Sequence, residues 1–163
     1  MRAFWITAAV TLVLDQLSKY AVVQGLDLAR RGAIDVLPPF VNFRMAWNQG
    51  VNFGLLSSDN GLTRWILIGV ALLISGLVTW WMHKDRSRLG VLVSGGLLVG
   101  GAIGNIIDRL VYGAVADFLN MSCCGFVNPW SFNVADVAIF AGAAGLFLFD
   151  GGKSARDSGQ QTP

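Results

Sequence analysis

Between Trp65 and Met82 the chain runs for 18 residues without a charged side chain, and it does so again from about Leu89 to Ile107. Runs of that length suit the roughly 20 residues an α-helix needs to cross a bilayer. Two further apolar runs flank them. One covers about Ala3 to Val23 and is broken by Asp15 and Lys19; the other covers about Ser131 to Phe149, broken only by Asp136 near its start. Charged residues make up 13% of the chain, about half the share of a soluble domain. The expectation is an all-α membrane protein with four transmembrane helices, folded as one domain over 1–150. The residues after it, 151–163, read as a disordered tail.

Several function classes drop out. A net charge of +2, with arginines scattered and no basic stripe among aromatics, gives no footprint for nucleic acid. Cys123 and Cys124 are the only cysteines and are adjacent, too few and too close for a disulfide framework or a zinc site. They are expected to be peripheral. No glycine-rich phosphate loop is present, and His83, beside Lys84, reads as a solvated loop residue. Neither metal nor cofactor is expected. The first span could be mistaken for a signal peptide, but Asp15 and Lys19 interrupt it and no small-residue cleavage site follows. Lys84, Arg86 and Arg88 crowd the interval between the second and third runs, which the positive-inside rule places in the cytoplasm. Four spans then put both termini on that side, in agreement with Arg2, Lys153 and Arg156.

The polar interval 24–63 lies on the opposite side. Within it VLPPFVNFRMAW alternates loosely in β-type residues, so short strands on the membrane surface are expected. NQGVNFG follows, with Gly50 and Gly54 permitting tight turns or close approach of a ligand. By itself Asn48-x-Gly50 is a turn signal.

The chemistry concentrates between Gly100 and Asp136. All ten acidic residues of the protein are Asp, and Asp108, Asp117 and Asp136 fall in this segment among Asn105, Arg109 and Asn133. A charge near hydrocarbon costs at least roughly 2.5–3.5 kcal/mol, so such residues are functional candidates. The third run ends near Arg109 and the fourth begins near Asn133. Two neighbouring helix ends can therefore bring Asp117 and Asp136 together at the outer face. Two carboxylates at close quarters hold one proton between them. The ionised member can draw a proton from water while the other donates to the carbonyl under attack, which is general acid–base hydrolysis of an amide. The helix start favours Asp136 as the anion, leaving Asp117 as proton carrier. Asn105, Asp108 and Arg109 can share one helical face. Asn105 and Asn133 can orient the carboxylates, and Arg109 can neutralise Asp108 or anchor a carbonyl. Asp15 and Lys19, four apart, can pair on the first helix, either to ease insertion or to brace the site.

Five blocks in order, DQLSK from Asp15, NQGVNFG from Asn48, GNIIDR from Gly104, GAVADF from Gly113 and FNVAD from Phe132, resemble the lipoprotein signal peptidase (signal peptidase II) family, bacterial membrane aspartyl proteases. The resemblance spans nearly the whole chain. It implies a catalytic dyad at Asp117 and Asp136, and a substrate groove lined or braced by Asn48, Gly50, Asn105, Asp108, Arg109 and Asn133, with Asp15 and Lys19 in support. It implies an extracytoplasmic β-type cradle from 24–63, the bacterial inner membrane as location, and an endopeptidase that cuts prolipoproteins just before a diacylglyceryl-modified cysteine. The other partner is then membrane lipid, and the chain is expected to act as a monomer. A competing class is a small transporter or proton pathway using the intramembrane Asp, Lys and Arg. Against it, the two halves share no repeat and the polar residues gather at one face.

Overall fold

The computed structural model of the protein describes residues 1–50, 61–84 and 88–150, with Asp150 as backbone only. The expectations placed on 51–54, on 85–87 and on the tail 151–163 lie outside the described residues.

Among the described residues, three helices are long and apolar enough to cross a membrane. They are α1 (Arg2–Lys19), continued by a π-helical turn over Tyr20–Gly25, α3 (Leu62–Lys84) and α4 (Leu89–Tyr112). A shorter apolar helix, α5, covers Val134–Asp150. A single turn, α2 (Leu28–Arg31), leads from the first helix into the strands. Helix α3 extends beyond the apolar run at both ends, so His83 sits in its last turn, with a ring nitrogen 3.0 Å from Thr79 O, and not in a loop.

Helix α4 is the axis: 67% of its apolar window is buried, against 22% for α3. Glycine makes this possible. A Cβ on Gly100 would stand 2.5 Å from Ala8 O of α1, and one on Gly101 would stand 2.5 Å from Ala135 O of α5. Small residues let helix backbones meet where lipid removes the hydrophobic drive to associate. The buried residues of α1, Phe4, Ala8, Thr11, Asp15 and Lys19, recur at helical spacing on the side facing α4. The outer faces carry Val13, Leu14 and Leu17 on α1 and Phe140, Phe147 and Leu148 on α5, all exposed. Apolar surface turned outward is what a lipid solvent selects.

Three antiparallel strands, β1 (Ala33–Leu37), β2 (Val41–Asn48) and β3 (Val115–Met121), form a sheet in that order. The expected β segment therefore exists, but its third strand comes from beyond α4, where sequence periodicity suggested none. An all-α description is corrected to a mostly helical one. The sheet rests on the end of the first helix through Val22, Leu28 and Phe118. A second apolar cluster joins Phe4 to Met82, Val91 and Leu146. Asp15 and Lys19 fall between Phe4 and Val22 along the first helix, so the polar cluster lies between these two apolar bodies.

Candidate active site

The turn that starts α5 is built by its own sequence. Asn133 precedes the helix, and its Oδ1 accepts the N–H of Asp136 at 2.9 Å while Asp136 Oδ2 accepts the N–H of Asn133 at 3.2 Å. This is a reciprocal cap: two donors that the helix cannot satisfy are satisfied by two side chains three residues apart. It also fixes the Asn133 amide, because a backbone N–H must face the oxygen. The Nδ2 is thereby turned to Asp117 Oδ1, at 2.6 Å.

Asp117 does not arrive on a helix end, as the apolar runs suggested, but on β3, opposite Ala46 of β2. At the end of β2, Asn48 donates from Nδ2 to Asp117 Oδ2 at 3.0 Å. Its own orientation is set by the N–H of Gly50, which donates to Asn48 Oδ1 at 3.0 Å. Gly50 has φ 113°, a conformation that side chains disfavour. From α4, Asn105 Nδ2 donates to Asp136 Oδ1 at 3.0 Å. Three asparagines thus deliver N–H groups to the two carboxylates.

Below them lie Asp15 and Asp108, 0% and 1% exposed, bridged by Lys19 at 2.8 and 2.7 Å. Asp108 takes its cation from α1 and not from neighbouring Arg109. Arg109 instead donates to Asn105 O at 3.3 Å, and its buried Nε has no hydrogen-bond partner among the described residues. Its charge acts on Asp117, Asp136 and Asp108 together. Every residue that the blocks nominated is therefore joined in one network, with Gly50 entering through Asn48. Gln16 belongs to it and was not singled out: its Nε2 donates to Asp15 at 3.1 Å and Asp108 at 3.0 Å. Its place inside the DQLSK block was the available signal. The backbone amides of Ala116 and Ala135 join as well, donating to Asp108 and Asp15, and backbone donors leave no mark in a sequence.

Asp117 forms the floor of a cleft of about 370 Å³ between the β2 end and the segment before α5, with Trp47, Gly50, Pro129 and Trp130 in its walls. Although only 3% exposed itself, it faces this opening. Its carboxyl is pushed up to about 6, first by desolvation and then by the charge of Asp136, against the pull of the Asn48 and Asn133 hydrogen bonds and of Lys19. A proton held near neutrality beside a second carboxylate suits acid–base chemistry. The cysteines do not line it: Cys123 and Cys124 are bonded to each other in an exposed turn closed by Cys123 and Phe126.

The same arrangement of helices and sheet occurs in a bacterial membrane enzyme solved by the in meso method at 1.9 Å resolution. The TM-score is 0.77 and the identity 26%, over 91% of this chain and 92% of that one. The class is thus a mostly helical, multi-pass bacterial membrane enzyme. Within it, the family described as signal peptidase (SPase) II matches residues 7–150. A lipoprotein signal peptidase of Methylobacterium sp. (strain 4-46) is 47% identical over 87% of this chain and 84% of its own. One from Alteromonas mediterranea is 38% identical over 99% and 88%. The chain belongs to the signal peptidase II family of aspartyl peptidases.

Proposed function

We propose that this signal peptidase releases signal peptides from prolipoproteins by hydrolysis at Asp117 and Asp136, cutting before a diacylglyceryl-modified cysteine. The observation that carries the reading is the Asn133 side chain, which holds the two aspartates in one hydrogen-bonded unit. Asp136 is the ionised member, because it stands in the first turn of α5, where the positive end of the helix dipole favours an anion. Asp117 carries the proton. Asp136 takes a proton from a water held between the pair as the water oxygen attacks the scissile carbonyl carbon. Asp117 gives its proton to the carbonyl oxygen. The tetrahedral species collapses when the amine leaves with the proton from Asp136 and a hydroxyl proton returns to Asp117.

The substrate is bound where its lipid dictates. Two acyl chains anchor a cysteine at the bilayer surface, and the cleft opens beside the sheet at one end of the helices. In this reading α5 makes the fourth crossing, since 17 residues lie within the range that spans. Both termini are cytoplasmic and the pair lies at the outer face. The enzyme acts as a monomer without a cofactor, in contact with lipid.

The test is cleavage of a lipidated prolipoprotein by the reconstituted enzyme. Activity that vanishes in Asp117→Asn and in Asp136→Asn is expected. Unimpaired cleavage by either variant would remove the pair from the mechanism, and proton flux in substrate-free vesicles would favour transport instead.

A further inference from the structure

Lys19 lies under the aspartate pair, 5% exposed, with its ammonium directed at three side-chain oxygens. These are Asp15 Oδ2 at 2.8 Å, Asp108 Oδ2 at 2.7 Å and Asn105 Oδ1 at 3.2 Å, one for each of its donors. Each partner leads to the reacting pair. Asp15 Oδ1 accepts the N–H of Ala135 at 2.9 Å, one residue before Asp136. Asp108 Oδ2 accepts the N–H of Ala116 at 3.1 Å, one residue before Asp117. One cation thereby grips, through two carboxylates, the backbone on which each rim aspartate is mounted. The third route is an amide. An ammonium has donors only, so the Asn105 atom facing Lys19 must be oxygen. The Nδ2 is then left to meet Asp136 Oδ1 at 3.0 Å.

We propose that Lys19 is a positioning residue for the hydrolysis, setting the separation of Asp117 and Asp136 and holding the Asn105 donor toward Asp136. The inference rests on the aspartate pair being the hydrolytic site. The charged groups around that pair are Asp15 and Lys19 of α1, Asp108 and Arg109 of α4, Asp117 of β3 and Asp136 of α5. Arg64 of α3 lies further out, beside Gly113. Lys19 is central to this set because it alone touches both inner carboxylates and the amide. Its positive charge also favours ionised Asp117. Losing it therefore moves the alkaline limb of the rate profile, where Asp117 gives up its proton, to higher pH.

A cation that merely neutralises two buried carboxylates can be replaced by removing charge on both sides, whereas a positioning cation cannot. The full-length enzyme in lipid–detergent micelles is compared with Lys19→Met and with the charge-balanced Lys19→Met/Asp15→Asn, reading melting temperature, kcat, KM and the pH profile on a lipidated prolipoprotein. The double variant is expected to melt nearer the parent than the single one. Its kcat should still fall by about 100-fold, the scale of a 1 Å misplacement, with KM little changed and the alkaline limb displaced upward. Where the methionine variants do not fold, Lys19→Arg carries the same test, since it keeps the charge and displaces the donors. Parental kcat in a folded variant, or a lowered kcat with both limbs unmoved in a methionine variant, overturns the proposal; Lys19→Arg, which keeps the charge, is judged on the fall in kcat at unchanged KM. Cleavage by Asp117→Asn would instead defeat the reading of the rim pair, whatever the Lys19 variants do. An inactive Asp117→Asn beside fully active Lys19 variants defeats this inference alone.

Discussion

Two pairs of aspartates lie within one hydrogen-bonded cluster, and they have been given opposite surroundings. The inner pair, Asp15 and Asp108, shares the Lys19 ammonium and is closed to solvent. Among the described residues the outer pair, Asp117 and Asp136, receives only amides: the side chains of Asn48, Asn105 and Asn133 and the backbone of Asn133. The ammonium ties the inner carboxylates into ion pairs. Neutral donors orient a carboxylate while leaving it able to hold a proton, and desolvation then keeps Asp117 near 6. The lesson is that the partner, not the residue type, assigns the task.

Breaking the outer pair should have the largest consequence. Asp117→Asn and Asp136→Asn are each expected to lose about 10³-fold or more in kcat, toward the upper end of what general acid–base groups contribute, measured by release of the signal peptide. Breaking the inner pair should act first on the fold. Lys19→Met leaves two buried carboxylates without their cation, and a cost of about 3–5 kcal/mol is the usual scale, read from thermal or denaturant melting in micelles. Asn133→Ala removes the α5 cap and a donor to Asp117 together. Hydrogen bonds to charged groups contribute about 1.5–3 kcal/mol, so a fall of about 10- to 100-fold in kcat is expected from the same assay.

The raised Asp117 group also predicts that the outer pair opposes stability. Its folded value, about 6, stands above the ordinary 3.8. The folded state therefore binds more protons between those values, and stability declines as pH rises through them. At pH 8, Asp117→Asn should stabilise the fold by at most about 3 kcal/mol, since each tenfold change in proton affinity is worth about 1.4 kcal/mol. At pH 4 the gain should nearly vanish, and melting curves at the two pH values check it. The smallest effect concerns Asn48, whose hydrogen bond draws the Asp117 value down. Asn48→Ala should move the alkaline limb of the pH–rate profile slightly upward, with a modest fall in kcat.

Much of this was legible in the chain. Apolar runs of bilayer length declared the helices, since hydropathy and length are local quantities. The pairing of Asp15 with Lys19 followed from a spacing of four, and the ordered blocks contain every side chain of the network, Gln16 included, although Gln16 was not singled out and the backbone amides could not be. The strand carrying Asp117 was not legible. VADFLNM is a short apolar run after a long helix, and such a run becomes a strand only because β2 presents an edge to it. The cation of Asp108 was equally hidden, because adjacency in sequence suggested Arg109 whereas packing of α1 on α4 supplies Lys19.

From sequence alone came the solvent, the helices and the cast of polar residues, because these depend on composition and on spacing within one segment. Tertiary structure decided which aspartates meet a cation and which meet only amides. That choice is made by side chains brought together from α1, β2, α4, β3 and α5, and no single stretch of the chain contains it.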